Sequence, residues 1–274
     1  MLGAVIGDII GSYYECHCTK NYDFELFTRE SSFTDDTVLL AATCDAILFD
    51  PSADTHSFKL RNRRILEYAA RYRQFYSRYP HAGYGKMFME WAQSRRFYKL
   101  RSFANGAAMR VLPVGYAYKT MEEVLMQAKL SAVCTHNDKD AVRGAQAVAA
   151  AVFMAHNGYS RKEIKDYLMS KHLCRLGFST EDIKDGYVFD SAACYSVPPS
   201  IVCFLESESY EDAVRKAVSL GGDADTMACI AGGIAEAFGF KIPPEIRSKG
   251  LNFLDGQLKN VFRSFNEKYI SNIC

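Results

Sequence analysis

A chain of 274 residues, 49% apolar and 24% charged, has an ordinary globular composition and enough length to bury a sizeable core. A net charge of +1 and a pI near 7.5 exclude a global field that would gather it on nucleic acid or an anionic membrane. No apolar stretch reaches the ~18–20 residues of a membrane span, and Asp8 interrupts an N-terminal run without a basic flank, so neither a span nor a signal peptide is expected.

Glycines recur at Gly3, Gly7 and Gly11 in the first apolar segment. A helix there would present a face of bare backbone. Each glycine costs about 1 kcal/mol of helix propensity relative to alanine, which close packing of another helix can offset. Asp8 and Glu15 would share one face of that helix. Carboxylates among apolar residues are expensive unless paired or metal-bound. A polar loop over 16–32 follows. Phe33-Thr34-Asp35-Asp36-Thr37 then leads into an apolar helix over 38–48.

Residues 58–79 read as a basic, Tyr-rich helix. Its run of Lys59, Arg61, Arg63 and Arg64, continuing to Arg71, Arg73 and Arg78, is expected to be a solvated face rather than a nucleic-acid patch. A turn over 80–85 precedes a short helix over 86–95 with the only tryptophan, Trp91. Ser102-Phe103-Ala104-Asn105-Gly106 feeds a small-residue helix start. Such a loop can present N–H groups to phosphate, although Asn-Gly is also a generic turn. An amphipathic helix over 122–133 ends in Cys134-Thr135-His136-Asn137-Asp138, and a small-residue helix over 140–155 follows. A lone histidine at such a turn is more often a cap or a satisfied polar group than a catalyst. Ser160 and Glu163 make a capping box. After a polar stretch over 175–190, Ser196-Val197-Pro198-Pro199-Ser200 starts the apolar run 201–205.

A helix over 210–220 delivers the chain to Gly221-Gly222-Asp223-Ala224-Asp225-Thr226. Met227, Ile230, Ala231, Ile234 and Phe238 continue with helical period. Asp and Thr are good caps. One cap needs one oxygen, however, and this cluster brings many; hard cations such as Mg²⁺ need such clusters. Taken alone, cap and metal site explain it equally. The second cluster, Thr34-Asp35-Asp36, raises the metal reading: the two look like halves of one site. Their mutual repulsion would be relieved by a pair of cations.

The nine cysteines are scattered, odd in number and without a CxxC pair, which suggests a reducing compartment. Cys16-His17-Cys18 has no second cluster to complete a zinc site. No clear period-2 run, repeat or low-complexity linker occurs. One all-α domain of about ten to twelve helices is expected.

At this point the chain resembles the ADP-ribosylglycohydrolases, the family of dinitrogenase-reductase-activating glycohydrolase and the ADP-ribosyl-acceptor hydrolases. The resemblance covers nearly the whole chain. It rests on Gly3-x3-Gly7-Asp8-x2-Gly11-x3-Glu15, Phe33-Thr34-Asp35-Asp36-Thr37, Ser102-Phe103-Ala104-Asn105-Gly106-x2-Met109-Arg110, Thr135-His136, Ser196-Val197-Pro198 and Gly221-Gly222-Asp223-Ala224-Asp225-Thr226. It implies a single compact orthogonal helical domain over 1–274 with two Mg²⁺ or Mn²⁺ ions. The implied metal ligands are Thr34, Asp35, Asp36, Asp223, Asp225 and Thr226. The implied catalytic residues are Asp35, Asp36 and Glu15. Substrate binding falls to Ser102, Phe103, Ala104, Asn105, Gly106 and His136. Ala104 stands where the family loop more usually has glycine, which adds a methyl and restricts φ.

The activity implied is metal-dependent hydrolysis of the glycosidic bond between ADP-ribose and an acceptor, which reverses ADP-ribosylation. The acceptor is a protein side chain, a nucleobase or a small molecule. A cytoplasmic monomer is expected, with no membrane association and no stable nucleic-acid binding. The competing reading is an inactive member that only binds ADP-ribose or serves structurally, as crystallins of this family do. Such members lose acid ligands, and all six positions are intact here. An isoprenoid-synthase-like Mg²⁺ enzyme would want DDxxD, but Leu39 occupies the last position.

Overall fold

The computed structural model describes residues 1–270; Cys274 lies outside them. Fourteen α-helices form among these residues: α1 (Leu2–Cys16), α2 (Asp35–Phe49), α3 (Phe58–Arg78), α4 (Lys86–Gln93), α5 (Leu112–Ala117), α6 (Met121–Ala132), α7 (Lys139–His156), α8 (Arg161–Ser170), α9 (Thr180–Lys184), α10 (Ala193–Leu205), α11 (Tyr210–Ser219), α12 (Ala224–Ala237), α13 (Pro244–Asn252) and α14 (Gly256–Tyr269). The protein is all-α. Among the described residues no β-strand forms, only two isolated antiparallel bridges, Arg101 with His136 and Ala104 with Ala192. No described helix is long and apolar enough to cross a membrane.

The closest helix pair is α1 with α12, and the glycines explain why. A Cβ at Gly3 would come within 2.5 Å of Gly232 O. At Gly7 it would strike the backbone carbonyl of Ala228, and at Gly11 that of Ala224. Backbone therefore meets backbone along three turns. Tyr210 locks the far end, donating its hydroxyl to Gly3 O at 2.8 Å. The N-terminal ammonium pairs with Glu236 at 2.8 Å, and Gly3 N donates to the same carboxylate. This packing sets the start of α12 against the carboxyl half of α1, which places Asp225 near Asp8.

Most sequence expectations for the helices hold within one or two residues, including the Ser160–Glu163 capping box. Helix α10 is a correction. It starts at Ala193, before the two prolines, and carries both of them inside. Pro199 cannot donate to the carbonyl four residues back, Tyr195 O. The Tyr187 hydroxyl donates to it instead, at 3.1 Å. The basic run of α3 is exposed at Lys59, Arg61, Arg63 and Arg78, as expected of a solvated face, but one residue is a second correction. Arg64 is buried, not solvated: its guanidinium bonds Gln127 Oε1, Ala46 O, Glu67 and the hydroxyls of Tyr68 and Tyr118. Arg73 lies over the Trp91 ring, 4.6 Å from its centroid.

Candidate metal centre and its cleft

Helix α2 begins with Thr34 as its cap: Thr34 Oγ1 accepts from Asp36 N at 3.3 Å. The third donor of that turn, Thr37 N, is taken by a side chain from another helix, Asp8 Oδ2, at 3.1 Å. Asp8 also accepts from Thr34 N, Thr34 Oγ1 and Thr37 Oγ1. An anion at a helix N-terminus is favourable, and here it staples α1 to α2. Helix α12 begins differently. Asp223 occupies its cap position but makes no side-chain cap bond. Its Oδ2 accepts from Asn105 Nδ2 at 2.8 Å. The cap reading thus holds for Thr34 and fails for Asp223.

The two helix starts bring the two acid clusters together, across most of the chain. Oxygens of Asp8, Asp36 and Asp225 lie within 4.8 Å of one another, and so do oxygens of Glu15, Asp223 and Asp225. Asp225 belongs to both trios. Thr226 Oγ1 donates to Asp36 Oδ2 at 3.3 Å, which joins the clusters directly. Asp35 belongs to neither trio; it is half-buried and faces the cleft beside Gly83.

Burial raises every one of these carboxyls whose shift is resolved. Asp8 is pushed up to about 6, against the pull of its threonine donors. Asp35 is pushed up to about 8 by burial and then by the charges of Asp8, Asp223 and Glu15. Asp36 and Asp225 are held well above the usual carboxylate range by burial and then by neighbouring acids, first Asp8 for Asp36 and Asp36 for Asp225. Glu15, at the exposed end of α1, is raised by burial and by Asp223.

This donor set fits a divalent cation. Its ligand atoms are all hard oxygens. Among the described residues no lysine, arginine or histidine pairs with any of the six acids. Asp36 Oδ1 is buried with no hydrogen-bond partner among the described residues. A buried carboxylate oxygen left bare is costly, and a cation beside it removes the cost.

All of these acids but Asp8, which lies buried behind them, line a cleft of about 390 Å³, within the usual range of small-molecule sites. One wall is the loop expected to bind substrate. Ser102, Ala104, Asn105, Gly106 and His136 line it. Phe103 does not; the residue is 63% exposed and its carbonyl accepts from Ala193 N. The loop's N–H groups are largely spent inside the protein. Ser102 N donates to Thr135 O, Ala104 N to Ser102 Oγ and Asn105 N to Ser191 O. Asn105 instead offers its side chain, which ties Asp223 to Ser196 Oγ at 3.0 Å. Ala104 sits at φ −71°, ψ 171°, extended backbone that alanine adopts freely, so its extra methyl imposes no strain.

Several contributors escaped the sequence reading. In the sequence Asp8 is only a costly carboxylate; the fold puts it in the site, within 4.8 Å of Asp36 and Asp225 oxygens. Gly83, Gly85, Lys86 and Phe88 line the opposite wall, and Phe189 and Ser191 the rim. Lys20 ties the segment that precedes Phe189 to the residue that follows α11. Its ammonium donates to Lys184 O and Tyr187 O at 2.6 Å and to Leu220 O at 2.5 Å. A lysine within a polar loop gives no sequence signal for such a clamp. A larger hollow of about 760 Å³ lies between α7, the α8–α9 connection and the start of α10. It contains none of the six acids, so the chemistry belongs to the smaller cleft.

Comparison with known proteins agrees with this geometry. The family model described as ADP-ribosylglycohydrolase matches residues 1–269. The chain is 26% identical to ADP-ribosylhydrolase ARH3 of Homo sapiens, over 87% of this chain and 84% of that one. It is also 26% identical to ADP-ribosylhydrolase ARH3 of Mus musculus, over 97% and 91%. An uncharacterized protein of Archaeoglobus fulgidus is 32% identical over half of each chain. A solved structure titled ADP-ribosylglycohydrolase-related protein complex shares the fold, with a TM-score of 0.61 at 20% identity over 96% of this chain and 95% of its own. The chain therefore belongs to the ADP-ribosylglycohydrolase family and is a glycosidic-bond hydrolase.

Proposed function

We propose that the protein is a cation-dependent hydrolase that releases ADP-ribose from an ADP-ribosylated acceptor, with residues 1–274 acting as one domain. The observation that carries this is the bare, buried Asp36 Oδ1 within two acid trios that share Asp225. The sharing of Asp225 supports two ions, Mg²⁺ or Mn²⁺. Thr34, Asp35, Asp36, Asp223, Asp225 and Thr226 would hold them, with Asp8 and Glu15 completing the trios. The relatives named ADP-ribosylhydrolase support ADP-ribose as the group released.

When bound, the cations would supply Lewis acidity and orient ribose hydroxyls. The chain's own residues do the rest. Asp35 faces the cleft, lies outside both trios and is the best placed carboxylate to take the proton of the attacking water; Asp36 is the alternative. The neighbouring carboxylates stabilise the oxocarbenium-like transition state at the anomeric carbon. Glu15, at the exposed rim, is placed to meet the acceptor side of the bond. Asn105 holds the Asp223 carboxylate, and Ser102, Ala104, Gly106 and His136 contact the nucleotide.

The test is a panel of ADP-ribosylated acceptors (arginine, serine, nucleobase and O-acetyl-ADP-ribose), read as released ADP-ribose with and without EDTA. Release from at least one acceptor is expected, together with its loss in EDTA and recovery on adding Mg²⁺ or Mn²⁺. Asp225→Ala should lose at least about a thousandfold in rate, since it removes the residue common to both trios. Wild-type turnover by that variant in Mg²⁺ would sink the assignment.

A further inference from the structure

Behind His136 lie two buried side chains, Arg110 and Thr135, that the hydrolysis above does not use. Arg110 is fully buried between the Ser102–Gly106 loop and α5. Its guanidinium lies over the Tyr72 ring, 3.9 Å from the centroid. Nη2 donates to Thr135 Oγ1 at 2.6 Å and to Ser131 O at 3.3 Å. No carboxylate among the described residues pairs with it, and Nε and Nη1 are buried without a partner. A buried, unpaired cation is expensive. Packing alone would be served better by methionine or leucine.

Thr135 Oγ1 also lies 2.8 Å from His136 Nδ1. A threonine hydroxyl carries one proton. Having accepted from Arg110, it can donate to Nδ1, its short contact, or to the Cys134 sulfur, a weak acceptor. Were Nδ1 the donor, the Thr135 oxygen would take two donors and its own buried proton would be left to the weakly accepting Cys134 sulfur. Nδ1 is therefore the acceptor, and the ring proton sits on Nε2. That nitrogen has no protein partner among the described residues, and His136 lines the cleft. The ring edge faces Gly106, where a Cβ would come within 3.1 Å of Nε2 and Cε1.

We propose that Arg110, acting through the Thr135 hydroxyl, is a positioning residue that fixes His136 as the neutral Nε2–H tautomer, a standing hydrogen-bond donor to an oxygen of the bound nucleotide. Burial and then the Arg110 charge hold the imidazole well below its usual range. His136 thus donates the same proton at every working pH and does not shuttle it. The recognition half of this proposal rests on the ADP-ribose reading; the tautomer half does not.

Full-length protein labelled with ¹⁵N-histidine tests it by long-range ¹H–¹⁵N spectra. The chain has six histidines, and His136→Gln identifies the signal. The wild-type ring should show the Nε2–H pattern, unchanged from pH 6 to 9. Thr135→Val and Arg110→Met should each give mixed tautomers, and Thr135→Ser should restore the wild-type pattern. On the best acceptor, Thr135→Val should raise KM about tenfold, the worth of one good hydrogen bond, with kcat nearly unchanged. A wild-type ring protonated on Nδ1, or titrating within that range, overturns the proposal without need of any variant. An unaltered ring in Arg110→Met removes the role of Arg110. An unaltered KM in a folded Thr135→Val removes the substrate contact. Failure of the wild type to release ADP-ribose from any acceptor would instead count against the functional reading, while the ring spectrum still decides the tautomer.

Discussion

Asp8 and Asp36 share one oxygen cluster yet differ in what already holds them. Asp8 takes four donors from Thr34 and Thr37. Asp36 leaves Oδ1 bare. A carboxylate saturated by amides and hydroxyls orients its neighbours, whereas one with a bare oxygen has most to gain from a cation. Asp36→Asn should therefore abolish Mn²⁺ binding by calorimetry. Asp8→Asn should weaken it by roughly 10–100-fold, the usual cost of losing a supporting contact. Equal loss in both variants would make Asp8 a ligand in its own right. The sequence showed Asp8 as a charge needing a partner but could not name Thr37. That pairing depends on α1 crossing the start of α2, and one sequence carries no record of such a crossing. Asn105 was legible as a loop residue, but its grip on Asp223 was not, for the same reason.

Helix α1 owes its position to missing side chains. Alanine in place of Gly7 would gain about 1 kcal/mol of helix propensity. Its methyl would strike the Ala228 carbonyl, which is backbone and cannot swing aside. Overpacking of this kind costs about 1–3 kcal/mol or more, so the net effect is destabilising. Gly7→Ala should lower Tm and also weaken Mn²⁺ binding, because α1 carries Asp8 and α12 carries Asp225. Gly256→Ala is the control: nothing lies within 4 Å of a Cβ there. If Gly7→Ala unfolds at the wild-type temperature, close approach of α1 and α12 is not what builds the site. The four-residue glycine spacing announced this contact because bare backbone on a helix face has few other uses. Helix α10 was only half legible. Pro198 and Pro199 read locally as a helix start, and only a distant hydroxyl, Tyr187, makes Pro199 tolerable inside the helix. Arg64 misled in the same way, since its five partners come from α2, α3, α6 and the residue following α5.

Across the whole molecule, the acid centre makes stability depend on pH in a sense opposite to that of ordinary surface carboxylates. Asp35 has a folded-state value of about 8 against an ordinary 3.8. A raised value means that its contribution is complete below the unfolded value and lost as pH rises through about 8. Asp36 and Asp225 shift in the same direction. Two histidines, buried His136 and half-buried His156, act oppositely. His136 and His156 are lowered when folded, so their contribution is already present above the ordinary 6.5 and is lost only on acidification. Between pH 6.5 and 9 the acids therefore set the fall, joined near pH 9 by thiols such as Cys44, Cys134 and Cys203, which burial also raises. In EDTA the protein should lose about 2 kcal/mol over that range from Asp35 alone, a fall in Tm on the order of 5 °C. Cations bind the deprotonated ligands, so saturating Mg²⁺ or Mn²⁺ should raise Tm more at pH 9 than at pH 6.5 and flatten the fall. Thermal unfolding at the two pH values, with EDTA and with each cation, gives four numbers per ion. A Tm in EDTA that rises toward pH 9, or an equal gain from the cation at both pH values, would mean that the clustered acids are not the cation's ligands.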